Sequence, residues 1–528
     1  MKRLYKIILS CFLATMMVSC TLDEDPKFPS GQNLYQTIDG SNTVLNGCYA
    51  SLASFNYYGA DLLHLTYFSS GLYNSNRDAT LLDIAALKAS PSLNFVENVW
   101  QASYQAIGRT NDLITHLEDV NLNNPAEQDN ILGQAYFIRG LVYFNLVRIY
   151  GGVPLITKNP TIETMNQPRA TAESVYEQII ADLDSASVKM KEVGEQTPGR
   201  PAKGAANMLL AKVYMTLAGN KSADQTDYWQ KAYNHAIKAY EKYSLVDDYH
   251  SLWIEATANN TVESVFEIQG NVENSLRLYQ LFTPSNGNIG RSVWGRIKPN
   301  LECYDMHNER YTLTDEGGNV LSQDPRLAAT FLSEWPKYNN AGQATNIKSY
   351  PFFTRRGNKD KSYPWLNKYY IKEHERASYD TNMNFVVMRY ADLLLMLAEI
   401  ENELNGPANA YQYVNQVLAR ARRSGEEAQS EPADWLGLTQ EEFRAAIMFE
   451  YRYELLGEGH EWFNDRRRGY EYFKANVIDV HNNHGLYEFD NARDVLLPDD
   501  ERNMLMPIPQ SEITANPNIS AADQNPGY

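Results

Sequence analysis

Between Gln134 and Ile156 the chain runs Gln-Ala-Tyr-Phe-Ile-Arg-Gly-Leu-Val-Tyr-Phe-Asn-Leu-Val-Arg-Ile-Tyr-Gly-Gly-Val-Pro-Leu-Ile, a stretch that few folds accommodate. At helical spacing Ile131, Ala135, Ile138, Val142, Leu146 and Ile149 fall on one stripe, while Phe137, Leu141 and Phe144 occupy the opposite side. A helix apolar nearly all round must be covered by several neighbours. Gly151-Gly152 supplies a left-handed cap and Pro154 bars continuation, so the stop is sharp. Arg139 and Arg148 cannot lie charged and unpaired in such a core; each is expected to find a carboxylate or helix-end carbonyls.

The covering helices can be read in turn. A first helix is expected over 33–58, with Val44, Leu45, Tyr49 and Leu52 on one side, then a loop over 65–93. The next helix covers about 96–116, and Trp100 within it is read as core. Thr171 is a plausible N-cap for a helix carrying Val175, Ile179, Ile180 and Leu183. In 205–219 and 228–240, small residues (Ala211, Ala232, Ala236, Ala239) alternate with Leu210, Tyr214 and Tyr233. That is the grammar of tetratricopeptide-like hairpins, in which small positions let two helices approach closely. The same grammar returns at 390–406 and 410–421. The fold class is therefore all-α, built of tetratricopeptide-like helical hairpins, with a long irregular insertion over 244–388. A strand is expected at 262–268, and many aromatics follow it among scattered Gly, Pro and Asn. A connection so long is functional or carries its own small structure.

The start of the chain reads as an address label. Lys2, Arg3 and Lys6 precede an apolar run over 7–18, too short to span a bilayer and right for a signal peptide. Met17-Val-Ser-Cys20 resembles a lipoprotein cleavage box, which would make Cys20 the lipidation site and lipid anchor, with an acidic tether behind it; an ordinary signal peptide with Cys20 incidental is the alternative. Of the other cysteines, Cys48 and Cys303 would stay in the mature chain. They lack C-x-x-C spacing and read as buried thiols, with a disulfide left open. A formal charge of −18 argues against nucleic acid, whose binders need a basic stripe.

Tests for chemistry return little. His460-Glu461 lacks the second histidine of H-E-x-x-H, because Asn464 stands there. His481 and His484 have helical ligand spacing but no third ligand nearby, so no metal is assigned. There is no G-x-S-x-G elbow, and Gly287, Gly290 and Gly295 do not form a phosphate cradle. No catalytic residue and no cofactor are assigned. Glu450, Arg452, Glu454 and Glu458 read as an ion-pair lattice packing a helix.

Several stretches resemble one family, the RagB/SusD outer-membrane nutrient-binding lipoproteins. The carriers are the 134–155 motif, Val99-Trp-Gln-Ala-Ser-Tyr-Gln-Ala-Ile-Gly-Arg-Thr-Asn-Asp-Leu-Ile114, the Gly-rich segment 279–300, the block Phe449–Gly469 and the ending Met506-Pro-Ile-Pro-Gln-Ser-Glu-Ile-Thr-Ala-Asn-Pro-Asn518. Asn300, Tyr451 and Asn464 depart from the family pattern. The resemblance implies a lipid-anchored protein on the cell surface of the outer membrane. It would capture oligosaccharide or polysaccharide and deliver it to a SusC-like TonB-dependent transporter. It also implies the division 1–19 signal peptide, 20–32 lipidated tether, 33–243 N-terminal helical repeats, 244–388 insertion with ligand loops and 389–528 C-terminal part.

Sugar recognition needs flat rings for the C–H face and Asn, Asp, Gln or Arg for the hydroxyl rim. Tyrosine is in surplus, 36 against 18 phenylalanines, which suits rings with a polar edge. Two loops have the right mixture, 67–78 and 287–296. The candidate ligand contacts are Tyr73, Asn76, Arg77, Asp78, Trp294, Trp335 and Trp365. A rival reading is a helical-repeat lipoprotein that binds protein or peptide segments and no glycan.

Overall fold

The computed structural model describes residues 34–75, 79–219, 225–271, 276–285, 287, 293–353, 361–371, 381–484 and 496–528. Helix α1 (Ile38–Leu52) begins where the Thr37 side chain accepts from the Gly40 amide. Then come α2 (Asp61–Phe68), α3 (Asn94–Glu118) and α4 (Pro125–Tyr150). In α4, Asn124 caps the first turn, Pro125 pre-sets it, and Gly151 ends it at a φ of +74°. Phe137, Ile138, Val142 and Phe144 of α4 are fully buried between α1 and α3 on one flank and α5 (Ala172–Lys189) on the other.

The later helices extend the row, each packing on an earlier one. α6 (Lys203–Gly219) and α7 (Gln225–Ala239) form a hairpin drawn close by the buried Ala211, Ala232, Ala236 and Ala239. The next member of the row is α8 (Tyr390–Asn405), which lies on α7 although the insertion separates them in sequence. α9 (Pro407–Arg423) and α10 (Gln440–Leu455) complete it, the latter started by a Thr439/Glu442 capping box. The all-α expectation holds: the strands among the described residues form only two-stranded ribbons.

One ribbon explains how the row survives its interruption. Strand Ser264–Ile268 pairs antiparallel with Phe385–Arg389, Ile268 opposite Phe385 and Ser264 opposite Arg389. The chain thus leaves and re-enters the helical frame at one place. Charge reinforces the junction. The Glu454 carboxylate of α10 accepts from Arg326 Nη1 at 2.8 Å, Arg389 Nη1 at 2.6 Å and Arg420 Nη2. Glu263 takes Arg389 and Arg420 at 2.7 and 2.8 Å, and Glu458 takes Arg389 and Lys368, each at 2.6 Å. Burial would raise the Glu454 carboxyl, but Arg420, Arg389 and Arg326 outweigh it and hold the group well below the usual carboxylate range.

Two expectations are corrected. The first helix does not reach Tyr58: it ends at Leu52 and gives way to a wide turn, Phe55–Gly59, in which Tyr57 leaves helical geometry (φ −125°, ψ −124°). The cause is that Tyr57 and Tyr58 both face inward, where the Asn145 amide donates to their hydroxyls at 3.0 and 2.9 Å. Consecutive residues of a regular helix diverge too far for that. The 65–93 loop is also too long, since it overlaps the end of α2 and contains a short helix, Ala79–Ala85. Every residue of α2 is buried, so it shows no amphipathic period to read.

Arg139 finds its carboxylate: Asp182 accepts from Nε at 2.8 Å and from Nη2 at 2.6 Å. Arg148 does not, and donates instead to Phe144 O and Asn145 Oδ1. Cys48 and Cys303 are free thiols, the first buried and the second half-buried.

Candidate functional site

The two loops singled out for ligand binding are neighbours. Tyr73 and Asn74 pair antiparallel with Pro299 and Lys298, so the end of the first loop runs alongside the exit of the second. The Asn300 amide adds a bond to Leu72 O at 2.8 Å. The second loop is folded back on the helix Leu278–Phe282: the Trp294 amide donates to Gln280 O at 2.8 Å and the Arg296 amide to Leu281 O at 2.9 Å. Gly295 makes that reversal at a φ of +56°, where an added Cβ would stand 2.8 Å from the Ser285 nitrogen.

Trp294 is partly exposed, and its ring meets Phe55 edge to face at 6.3 Å between centroids, with 74° between planes. Phe55 sits on the wide turn after α1 and is 46% exposed, with exposed Asn56 beside it. Arg296 lays its guanidinium over Trp294 at 4.4 Å and reaches toward His64 Nε2. The turn and the loop are tied by the Arg277 amide, which donates to Gly59 O at 3.0 Å. The result is an exposed ring beside an amide and a partly exposed ring with a cation over one face, on backbone pinned from both sides. Such a surface can stack an apolar face and bond hydroxyls around its edge.

The other candidates lie elsewhere. Tyr73 is buried and donates its hydroxyl to Glu461 Oε1 at 2.5 Å, so it is scaffold and not an exposed platform. Burial pushes the Tyr73 phenol and the Glu461 carboxyl up from their ordinary values. Trp335 and Trp365 are likewise buried, edge to face at 6.0 Å in a small cluster with Leu332. They form a floor: Trp365 lies 3.1 Å from where a Gly295 Cβ would be, and Trp335 3.4 Å from a Gly287 Cβ. Removing such large apolar rings from water is favourable wherever the segment can cover them, which is why they turn inward. Asn76, Arg77 and Asp78 lie outside the described residues. His481 and His484 pair with Glu302 and Asp305 at 2.8 and 2.9 Å, and among the described residues no group of three or more His, Cys, Asp or Glu could hold a metal ion.

A separate cleft of about 550 Å³ opens between the 193–202 loop and strand Ser264–Ile268. Its rings are Tyr243, whose hydroxyl packs on Gly204, and the buried Phe266. It therefore lacks a pair of exposed faces.

Comparison with known proteins decides the lineage. Residues 220–528 match the family model described as "SusD family", and residues 43–215 match one described as "Starch-binding associating with outer membrane". The chain belongs to the SusD family. Among its relatives, SusD-like protein P25 of Formosa agariphila is 26% identical, with both chains covered in full. A SusD homolog from Bacteroides thetaiotaomicron superposes with a TM-score of 0.75 at 22% identity, covering 94% of this chain and 98% of that one. A laminarin-binding SusD-like protein gives 0.68 at 23% identity, covering 94% and 100%. These likenesses establish the SusD fold for the frame and the insertion together.

Within this SusD-family chain, sequence reasoning missed Phe55. The residue continues the apolar spacing of α1 and so reads as one more helical turn. The available signal was Tyr57-Tyr58 followed by Gly59, two adjacent rings that no single helix face can bury.

Proposed function

We propose that this chain binds oligosaccharide at the surface formed by Phe55, Asn56, Trp294 and Arg296, without catalysing a reaction. The observation that carries the reading is the Phe55–Trp294 pair, one ring exposed and the other partly exposed, in a protein that buries most of its others. Stacking of a sugar ring on such faces contributes on the order of 1–2 kcal/mol per ring. Asn76, Arg77 and Asp78, which follow the strand Tyr73–Asn74 beside the Trp294 segment, are proposed as further hydroxyl partners. The names of relatives, one laminarin-binding and one model starch-binding, favour a glucan-type ligand.

Cys20 is the proposed acylation site that holds the protein on the outer membrane, where it would deliver its ligand to a SusC-like TonB-dependent transporter. A tether confines the search for that transporter to two dimensions. Titration calorimetry against a panel of soluble glycans, laminarin and maltooligosaccharides first, tests the binding reading. Saturable binding that weakens in Trp294→Ala is expected; no binding to any glycan, with capture of peptide segments instead, would overturn it. Cys20→Ala should leave the protein soluble, and affinity purification from native membranes should recover a β-barrel partner.

A further inference from the structure

Among the described residues, two arginines of the interior lack a carboxylate: Arg466, which donates to Asn503 O and Ser69 O, and the half-buried Arg148. Arg139, Arg326, Arg389, Arg420 and Arg467 all face carboxylates. Arg148 is clamped between the rings of Phe144 and Phe463, its Cζ 3.6 Å from each centroid. Its Nε donates to Phe144 O at 2.9 Å and its Nη2 to Asn145 Oδ1 at 2.7 Å, both neutral acceptors. Among the described residues no carboxylate lies within ion-pair distance of it.

The guanidinium borders a cavity of about 50 Å³ whose wall also holds Lys212, His460, Asn145 and Thr66. A body the size of a water needs roughly 10–15 Å³ of such space, so a small hydrated ion fits. The charges around it do not cancel. Lys212 Nζ is paired with Asp392 Oδ2 at 2.6 Å. Glu458, also on the wall, is already engaged by Arg389 and Lys368. His460 is buried, with Nε2 unpartnered, and burial holds its imidazole down at about 4, so it is neutral at pH 7. One positive charge, that of Arg148, is left facing a hollow whose wall is mostly apolar, Leu62, Leu141, Phe385 and Met388 among its members. A partly desolvated cation without a counter-charge is costly, and a mobile monovalent anion removes the cost.

We propose that this cavity is a binding site for a small inorganic anion, chloride being the chemistry that fits, held by Arg148 with Lys212 behind it. The site lies on the helical frame and does not depend on the glycan reading. A ligand bound only by the folded state raises the melting temperature. Replacing gluconate by 200 mM chloride at constant ionic strength is therefore expected to raise Tm by about 1–3 °C. Arg148→Gln should lose that increment, read as the difference between the two salts within each protein. Crystals of the unmodified protein soaked in bromide should show an anomalous peak against the Arg148 guanidinium, which together with the salt increment of the unmodified protein tests the site even if Arg148→Gln does not fold. Equal salt increments in both proteins, or bromide only at exposed lysines, would overturn the proposal. So would a peak at Arg148 with no melting increment, which would mark an adventitious ion only.

Discussion

Tyr73 and Glu461, 388 positions apart, share a 2.5 Å hydrogen bond in which the phenol donates and the carboxyl accepts. The Gly457 amide also donates to that oxygen, at 2.7 Å. Tyr73→Phe leaves a buried carboxyl short of a partner and is expected to destabilise by about 1–3 kcal/mol. Affinity for the best glycan should change by less than about twofold, roughly 0.4 kcal/mol. Urea denaturation alongside calorimetry reads both; a large loss of affinity with unchanged stability would return Tyr73 to the ligand surface.

Phe55→Ala and Trp294→Ala should behave in the opposite way. Each is expected to weaken glycan binding by roughly five- to thirty-fold, about 1–2 kcal/mol, with little effect on melting. The double substitution tests whether the rings act on one ligand: a combined loss well short of the product of the single losses would reveal coupling between them.

Glu454 meets three guanidiniums, and Glu454→Gln strands them partly uncompensated in the interior. A loss of about 3–5 kcal/mol at pH 7 is expected, read by chemical denaturation. The pH dependence follows from the same geometry. The folded-state values of Glu454, Glu458, Glu399 and Asp324 are depressed: burial opposes ionisation at each, and the arginines around them outweigh it. As pH falls, the unfolded chain therefore binds these protons first. Their contribution is complete above roughly pH 5 and drains away as pH drops through about 4 and below. Stability measured from pH 7 to 3 should show that acid limb, shallower in Glu454→Gln.

Gly140 lies where α4 touches α5, and a Cβ there would stand 2.9 Å from Leu183 Cδ2 and 3.0 Å from its Cγ. Gly140→Leu is expected to overpack this contact and cost about 1–3 kcal/mol. A midpoint of denaturation equal to that of the unsubstituted protein would mean the two helices can part without penalty.

How much of this was legible in the sequence depends on what each residue's signal was. The frame was readable because α4, α6 and α7 carry apolar and small residues at helical spacing, and Gly151 with Pro154 marks a stop. The charged residues of the 450–458 stretch were readable as a lattice, although their partners Arg326 and Lys368 come from the insertion and no periodicity points to them. The two ligand loops were legible as segments, because turn formers mixed with rings mark irregular surface. Which ring faces outward was not. Tyr73, Trp335 and Trp365 share the composition of an exposed platform with Trp294, and only tertiary packing separates floor from face. Phe55 was hidden by the opposite error, a residue in helical register whose helix had already ended.

The antiparallel pairing of Ser264–Ile268 with Phe385–Arg389 makes the insertion a cassette whose two ends meet, yet the proposed binding surface straddles the boundary between cassette and frame. Trp294 and Arg296 travel with the cassette; Phe55 and Asn56 stay on the frame. A graft of the cassette from a relative would have to supply cations to Glu454 and Glu458 as Arg326 and Lys368 do, and would still bring half a palate. Change of diet in such a chain therefore requires two distant stretches of sequence to move together, which sets a slower pace for new tastes than for new cassettes.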